Sequence, residues 1–191
     1  MKKNNFLFLL PILFSCYSVH NNAQSINMPK DSGQAQEAKA PLSPLKMAMN
    51  NIGANHVHIE YSAPSVRGRL IWGGLVPYDK IWVTGAHMAT SVQFVKDLKI
   101  RGTKVPAGKY ALFTIPGKES WTVIINKNWN QHQADQYTET DDVVRFNVVP
   151  ETQVESTEQL TYEVIPSGNN IGTITMRWEK IKISFEVESA Q

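Results

Sequence analysis

The chain of 191 residues contains a single cysteine, Cys16. A disulfide framework cannot form within one copy, and downstream of Cys16 there is no thiol to serve as nucleophile or zinc ligand. Long apolar runs are also scarce. After the block from Phe6 to Phe14, no stretch approaches the roughly 20 residues a helix needs to cross a bilayer. Charge of one sign is lacking too, since 19 Lys and Arg stand against 17 Asp and Glu. With no basic run, nucleic acid is not an expected partner. Several catalytic signatures are missing: the chain has no Gly-x-Ser-x-Gly elbow, no GxGxxG turn and no P-loop.

The N-terminus holds Lys2 and Lys3 ahead of the Phe6–Phe14 block, the pattern of a secretory signal. Two processing routes fit. One cuts after Ala23, making residues 1–23 the signal; the other uses a loose lipobox, Leu13 to Cys16, with a signal of residues 1–15 and lipid on Cys16. The cut after Ala23 is preferred. It removes two lysines and no acid, so the formal charge falls from +2 to zero. Residues 24–44 are rich in Gln, Ala, Ser and Pro, lack periodicity, and are expected to be a flexible linker. The expected location is therefore outside the cytoplasm: periplasmic, outer-membrane-associated or secreted. Membrane contact is expected only through a lipid at Cys16.

Residues 45–188 show no sustained helical period, and alternation dominates instead. Val57, Ile59 and Tyr61 share one strand face; His56, His58 and Glu60 share the other. Residues 109–115 and 121–126 are apolar on both faces, as central strands can be, with Pro116 to Ser120 as the hairpin loop. Residues 143–149 and 159–165 alternate as well. Near the end, Ile174, Met176 and Trp178 share a face, and after Glu179-Lys180 so do Ile181, Ile183, Phe185 and Val187. The expectation is one all-β domain, an antiparallel β-sandwich of about nine short strands. Residues 127–142 are polar and expected to be a loop or a short helix, with Asp141 and Asp142 a solvated start to the next strand.

The run WGGLVPYDKIWVTGA, Trp72 to Ala86, crowds aromatic rings and bends together. Trp72, Tyr78 and Trp82 either cap the core or form a wall on which a ligand stacks. Arg67 and Arg69 flank Gly68, either solvated or forming a fork for a carboxylate or phosphate. Tyr61, Thr84 and His87 complete the candidate binding set. His87 is also the candidate acid or base if there is any catalysis. His56 and His58 are weak metal candidates, needing His87 or His132 nearby to hold zinc or copper.

The runs GRLIWGGLVPYDKIWVTGAHMAT, VPAGKYALFTIPGKESWTVIINKN and MRWEKIKISFEV together resemble the bacterial family called domain of unknown function 2911. The resemblance implies an exported, envelope-associated, mostly β domain of the Bacteroidetes type and carries no established activity. It also implies an arginine where Val83 stands and Asn-Glu where His87 and Met88 stand. Any chemistry resting on that glutamate is lost here or passed to His87. The expected function is a ligand-binding or interaction module for carbohydrate or a small anion, without a cofactor. The alternative is a metal-assisted hydrolase using a histidine cluster.

Overall fold

The structure is a computed structural model that describes residues 41–190. The signal, Cys16 and most of the expected linker lie outside the described residues. Ten strands are present among them: β1 (Leu45–Ile52), β2 (Asn55–Ser62), β3 (Ser91–Phe94), β4 (Leu98–Ile100), β5 (Thr103–Val105), β6 (Gly108–Ile115), β7 (Trp121–Asn126), β8 (Asp142–Val148), β9 (Glu151–Pro166) and β10 (Ile171–Ser189). They form a six-stranded sheet in the order β1-β2-β3-β6-β7-β8 and a four-stranded sheet in the order β5-β4-β10-β9. All the named strand pairs are antiparallel. The all-β sandwich follows from strand alternation. Val57, Ile59, Val92, Phe94, Leu112, Val123 and Ile125 of the larger sheet face Leu160, Tyr162, Ile174, Met176, Ile183 and Phe185 of the smaller, all buried in one cluster.

The C-terminal strand departs from the expected pair. Ile171–Ser189 is one strand of 19 residues. Glu179, at φ 53°, sits where the pairing with β9 shifts register on both sides. Burial changes parity across it, from Ile174, Met176 and Trp178 to Ile183, Phe185 and Val187. A bulge therefore lets both halves of one strand bury their apolar residues in the same core, where two strands had been expected.

Strands β6 and β7 are buried on both faces because two loops cover their outer side. Phe113, Ala111 and Ile124 form a second small apolar cluster with Val83 and Ala89, and Ala134 and Tyr137 pack on it. Residues 127–141 are held in this cover by hydrogen bonds and contain only a three-residue turn of 3-10 helix, Glu139–Asp141. The expectation that Asp142 is solvated is overturned. Its side chain is 8% exposed and accepts hydrogen bonds from Asn126 (2.8 Å) and from the Tyr137 hydroxyl (2.9 Å). Burial and the adjacent Asp142 carboxylate raise the Tyr137 phenol to about 12. A polar segment leading into a strand reads as solvated; the loop folding back over Asp142 is not visible in a strand pattern.

Candidate functional site

The connection from β2 to β3 runs from Ala63 to Thr90, between neighbouring strands of one sheet. Loops longer than about 12–15 residues are uncommon between such strands and usually carry function. This one crosses to the other sheet and back. Val66 N–H donates to Glu158 and Leu160 N–H donates to Pro64, so residues 64–66 run beside β9. A tight turn follows, closed by Gly73 N–H to Val76 (2.9 Å) and Leu75 N–H to Leu70 (3.0 Å). Gly73 has φ 77°, and a Cβ there would meet the Tyr78 ring at 2.9 Å, so the Tyr78 ring packs directly against this turn. The chain then rejoins the larger sheet, where Trp82 and Thr114 exchange backbone hydrogen bonds.

Strain is concentrated in this excursion. Arg67, Asp79, Thr84 and His87 all adopt positive φ, four of the seven non-glycine residues that do so among the described residues. Thr84 is β-branched, for which φ 51° is a true outlier. Its surroundings hold it in place. The hydroxyl bonds the Trp82 carbonyl (3.2 Å) and the Thr114 hydroxyl (3.0 Å). Its carbonyl accepts from the Thr90 hydroxyl (3.0 Å) and the Tyr162 hydroxyl (2.9 Å). Desolvation pushes the Tyr162 phenol well above its ordinary range, so it stays a donor. Outliers of this kind persist where the surroundings over-determine them, and they cluster at functional sites.

Four of the five tryptophans meet under this loop. Trp82 stacks on Trp178 at 5.8 Å and 21°. Trp72 stands nearly perpendicular to Trp82, Trp121 and Trp178, at 5.7, 4.8 and 5.7 Å. The Trp82 indole donates to the Gly85 carbonyl at 3.1 Å. The indole N–H groups of Trp72 and Trp178 are buried without a hydrogen-bond partner among the described residues. Perpendicular packing presents ring edges to neighbouring π faces, a weak compensation for such donors.

Beside the stack opens a cleft of about 230 Å³, lined by Arg69, Leu75, Trp82, Gly85, Gln133 and Trp178 among others. Arg69 is its one ionisable lining residue among the described residues. The guanidinium spends two donors on its own loop, to the Val66 carbonyl (3.1 Å) and the Ser65 carbonyl (2.5 Å). A guanidinium has five N–H donors, so three stay available. Tethering by two bonds fixes the fork before any ligand arrives.

The candidate residues divide. Arg69 and Trp82 line the cleft, and Trp72 packs behind them. Arg67 is exposed, with its guanidinium donating to the Leu42 carbonyl at 2.8 Å. Tyr61 and Thr84 are buried. The Tyr61 hydroxyl accepts from Tyr162 N–H (3.2 Å), and desolvation raises its phenol. His87 is exposed just past the lining residue Ala86, and its carbonyl accepts from Gln133 N–H at 2.7 Å. Trp178, Leu75 and Gln133 were missed. Trp178 carried only a core signal, and Gln133 lay in a segment without periodicity.

His56 and His58 stand on β2 with ring centroids 6.4 Å apart. His56 Nδ1 is bonded to Asn51 Oδ1 at 2.8 Å. Among the described residues no three His, Cys, Asp or Glu side chains are grouped to hold a metal, so the histidine trio of the hydrolase alternative does not assemble.

Fold and site define an all-β, two-sheet sandwich whose long inter-strand loop builds a tryptophan-walled cleft at one end. The chain belongs to the family described as "Protein of unknown function (DUF2911)", which matches residues 43–187. No curated protein and no solved structure matches the chain.

Proposed function

We propose that this domain is a binding module of an exported or envelope-tethered protein, and that the cleft beside Trp82 and Trp178 takes one compact, anionic ring: a single uronate-type sugar unit or a small cyclic carboxylic acid. The observation that carries this is Arg69, pre-oriented by two bonds to its own loop, next to a stacked indole pair in a cleft with no acidic lining residue. Guanidinium binds carboxylate through paired N–H donors, and indole supplies rigid apolar area. At about 230 Å³ the cleft is below the roughly 300 Å³ at which drug-sized pockets begin. One ring fits that volume, whether free or at the end of a polymer. Among the described residues no imidazole or carboxylate lines the cleft to move a proton, which favours binding over transformation.

Calorimetric titration of the full chain with hexuronates and with the matching neutral hexoses tests this. Wild type binds the uronates more tightly. Arg69→Gln removes that preference, and Leu75→Trp, at a lining position 47% exposed, blocks both ligands without unfolding the domain. Equal binding by all three proteins, or none by wild type, overturns the proposal. Export rests on the N-terminal pattern. The mass of the mature N-terminus distinguishes cleavage after Ala23 from a lipid-bearing Cys16, and retention of Met1 on a cytoplasmic protein sinks both.

A further inference from the structure

On the outer face of the larger sheet, β1 and β2 place together residues that the cleft does not use. The register pairs Met49 with His58 and Met47 with Glu60, so all four side chains share one face. It is the wrong face for methionine if packing were the reason. Met47 is 57% and Met49 50% exposed, while the inward partners of β2, Val57, Ile59 and Tyr61, are buried. On that face His58 Nε2 is covered from solvent and has no hydrogen-bond partner among the described residues. An imidazole nitrogen left in that state loses its hydration without replacement. Its flanking cross-strand neighbours are Met49 on β1 and Gln93 on β3, and it bonds neither.

We propose that this face binds a soft monovalent cation, Cu(I) or Ag(I), through the thioethers of Met47 and Met49 and the imidazole of His58. Directly opposed residues on antiparallel strands have Cβ atoms about 4.5–5.5 Å apart and diagonal ones about 7–8 Å, within reach of methionine and histidine side chains. Met47 and Met49, two residues apart on one strand, approach His58 from the diagonal and the opposed position. Thioether sulfur and neutral imidazole are ligands that suit Cu(I), whereas Mg²⁺ and Ca²⁺ need several oxygens and zinc prefers thiolate, imidazole or carboxylate. Glu60, beside His58 on the same face, adds negative charge without competing as a soft donor. His56 is already committed to Asn51 and is not required.

The test is an anaerobic titration with Cu(I) under reductant against a competing chelator, and with Ag(I) under nitrogen, on the full chain. It is run in a Cys16→Ser background, because a thiol binds Cu(I) by itself. One ion binds per chain, the methyl resonances of Met47 and Met49 and the ring of His58 shift together, and zinc produces none of these changes. His58→Gln and the pair Met47→Leu with Met49→Leu each weaken binding by at least about ten-fold, the lower end of what losing even an outer partner of a metal site costs. His132→Gln, on another loop, leaves it unchanged. Far-UV dichroism and denaturation midpoints confirm that the variants fold. Absence of binding, or affinity unmoved by both variants, overturns the proposal. So does a metal-free dimer that forms through this face and is lost in the methionine variants, because an apolar interface then explains the exposed methionines.

Discussion

The outer face of the six-stranded sheet is two surfaces on one set of strands. Over β6 and β7 it lies under the two loops that build the second apolar cluster, with Phe113 and Ile124 fully buried. Over β1 and β2 no loop among the described residues lies on it, and it carries Met47, Met49, His58 and Glu60 in the same pleat rows. The rows are continuous: Met49, His58, Gln93 and Lys109 are successive partners across four strands. At the covered end of that row Trp129 comes down over Lys109, whose ammonium lies 4.3 Å from the ring centre. The difference between the halves is therefore made by loops, not by strands. Where a loop covers the sheet, apolar residues are buried; where none among the described residues does, they stay exposed.

The largest expected effect lies on the covered half. Phe113→Ala leaves a cavity among Val83, Ala89 and Ile124 and should cost about 3–5 kcal/mol, seen as a lowered midpoint in urea. A loss below about 1 kcal/mol would mean that the covering loops do not pack as a core and that the contrast between the halves is false.

A smaller loss is expected where the loop is strained. Thr84→Val keeps the shape and removes the hydroxyl, orphaning Thr114 Oγ1 in a buried setting. The expected cost is about 2–3 kcal/mol. The same denaturation measurement checks it. A neutral outcome would show that Thr84 is held in its left-handed conformation by its carbonyl partners alone.

Tyr137 ties the second covering loop to the start of β8. Tyr137→Phe removes the donor to the buried Asp142 carboxylate and should cost about 1–2 kcal/mol near neutral pH. The pH dependence has a fixed sign. The phenol is raised from 10.0 to about 12, chiefly by burial and then by Asp142. Between those values the unfolded chain has released the proton and the folded protein still holds it. The folded state binds more protons there, so stability falls as pH rises through that window. Tyr61, Tyr110 and Tyr162 are raised as well and act in the same direction. Phenolate absorbance and midpoints measured across the window should show a shallower decline in Tyr137→Phe. An equal slope would assign the effect to the other three tyrosines.

Much of the fold was legible because period-two burial is a strong signal in a chain without competing helical patterns. Val57, Ile59 and Tyr61 point inward as alternation requires. Of the cleft, the sequence showed the crowding of Trp72, Trp82 and Arg69 but not Trp178, because a core tryptophan and a cleft tryptophan have the same pattern on a strand. β1 was illegible for a physical reason. Three of its apolar residues, Leu45, Met47 and Met49, are on the exposed side, and its inward side carries Lys46, Ala48 and Asn50 before the one fully buried residue, Ile52. Asp142 was misjudged because a strand pattern says nothing of a loop that returns over it.

The smallest expected effect is the one that makes the comparison sharpest. Met49→Thr on the open half removes an apolar side chain that is 50% exposed and substitutes a residue that suits a strand. With no covering loop to lose contact with, stability should move by no more than about 0.5 kcal/mol, the usual range for surface changes. Urea denaturation at two protein concentrations checks this. A concentration-independent midpoint close to wild type keeps the open face open. A loss of several kcal/mol that depends on concentration would mean that a second copy covers β1 in solution, making the two halves of the sheet alike: one covered from within the chain, the other from outside it.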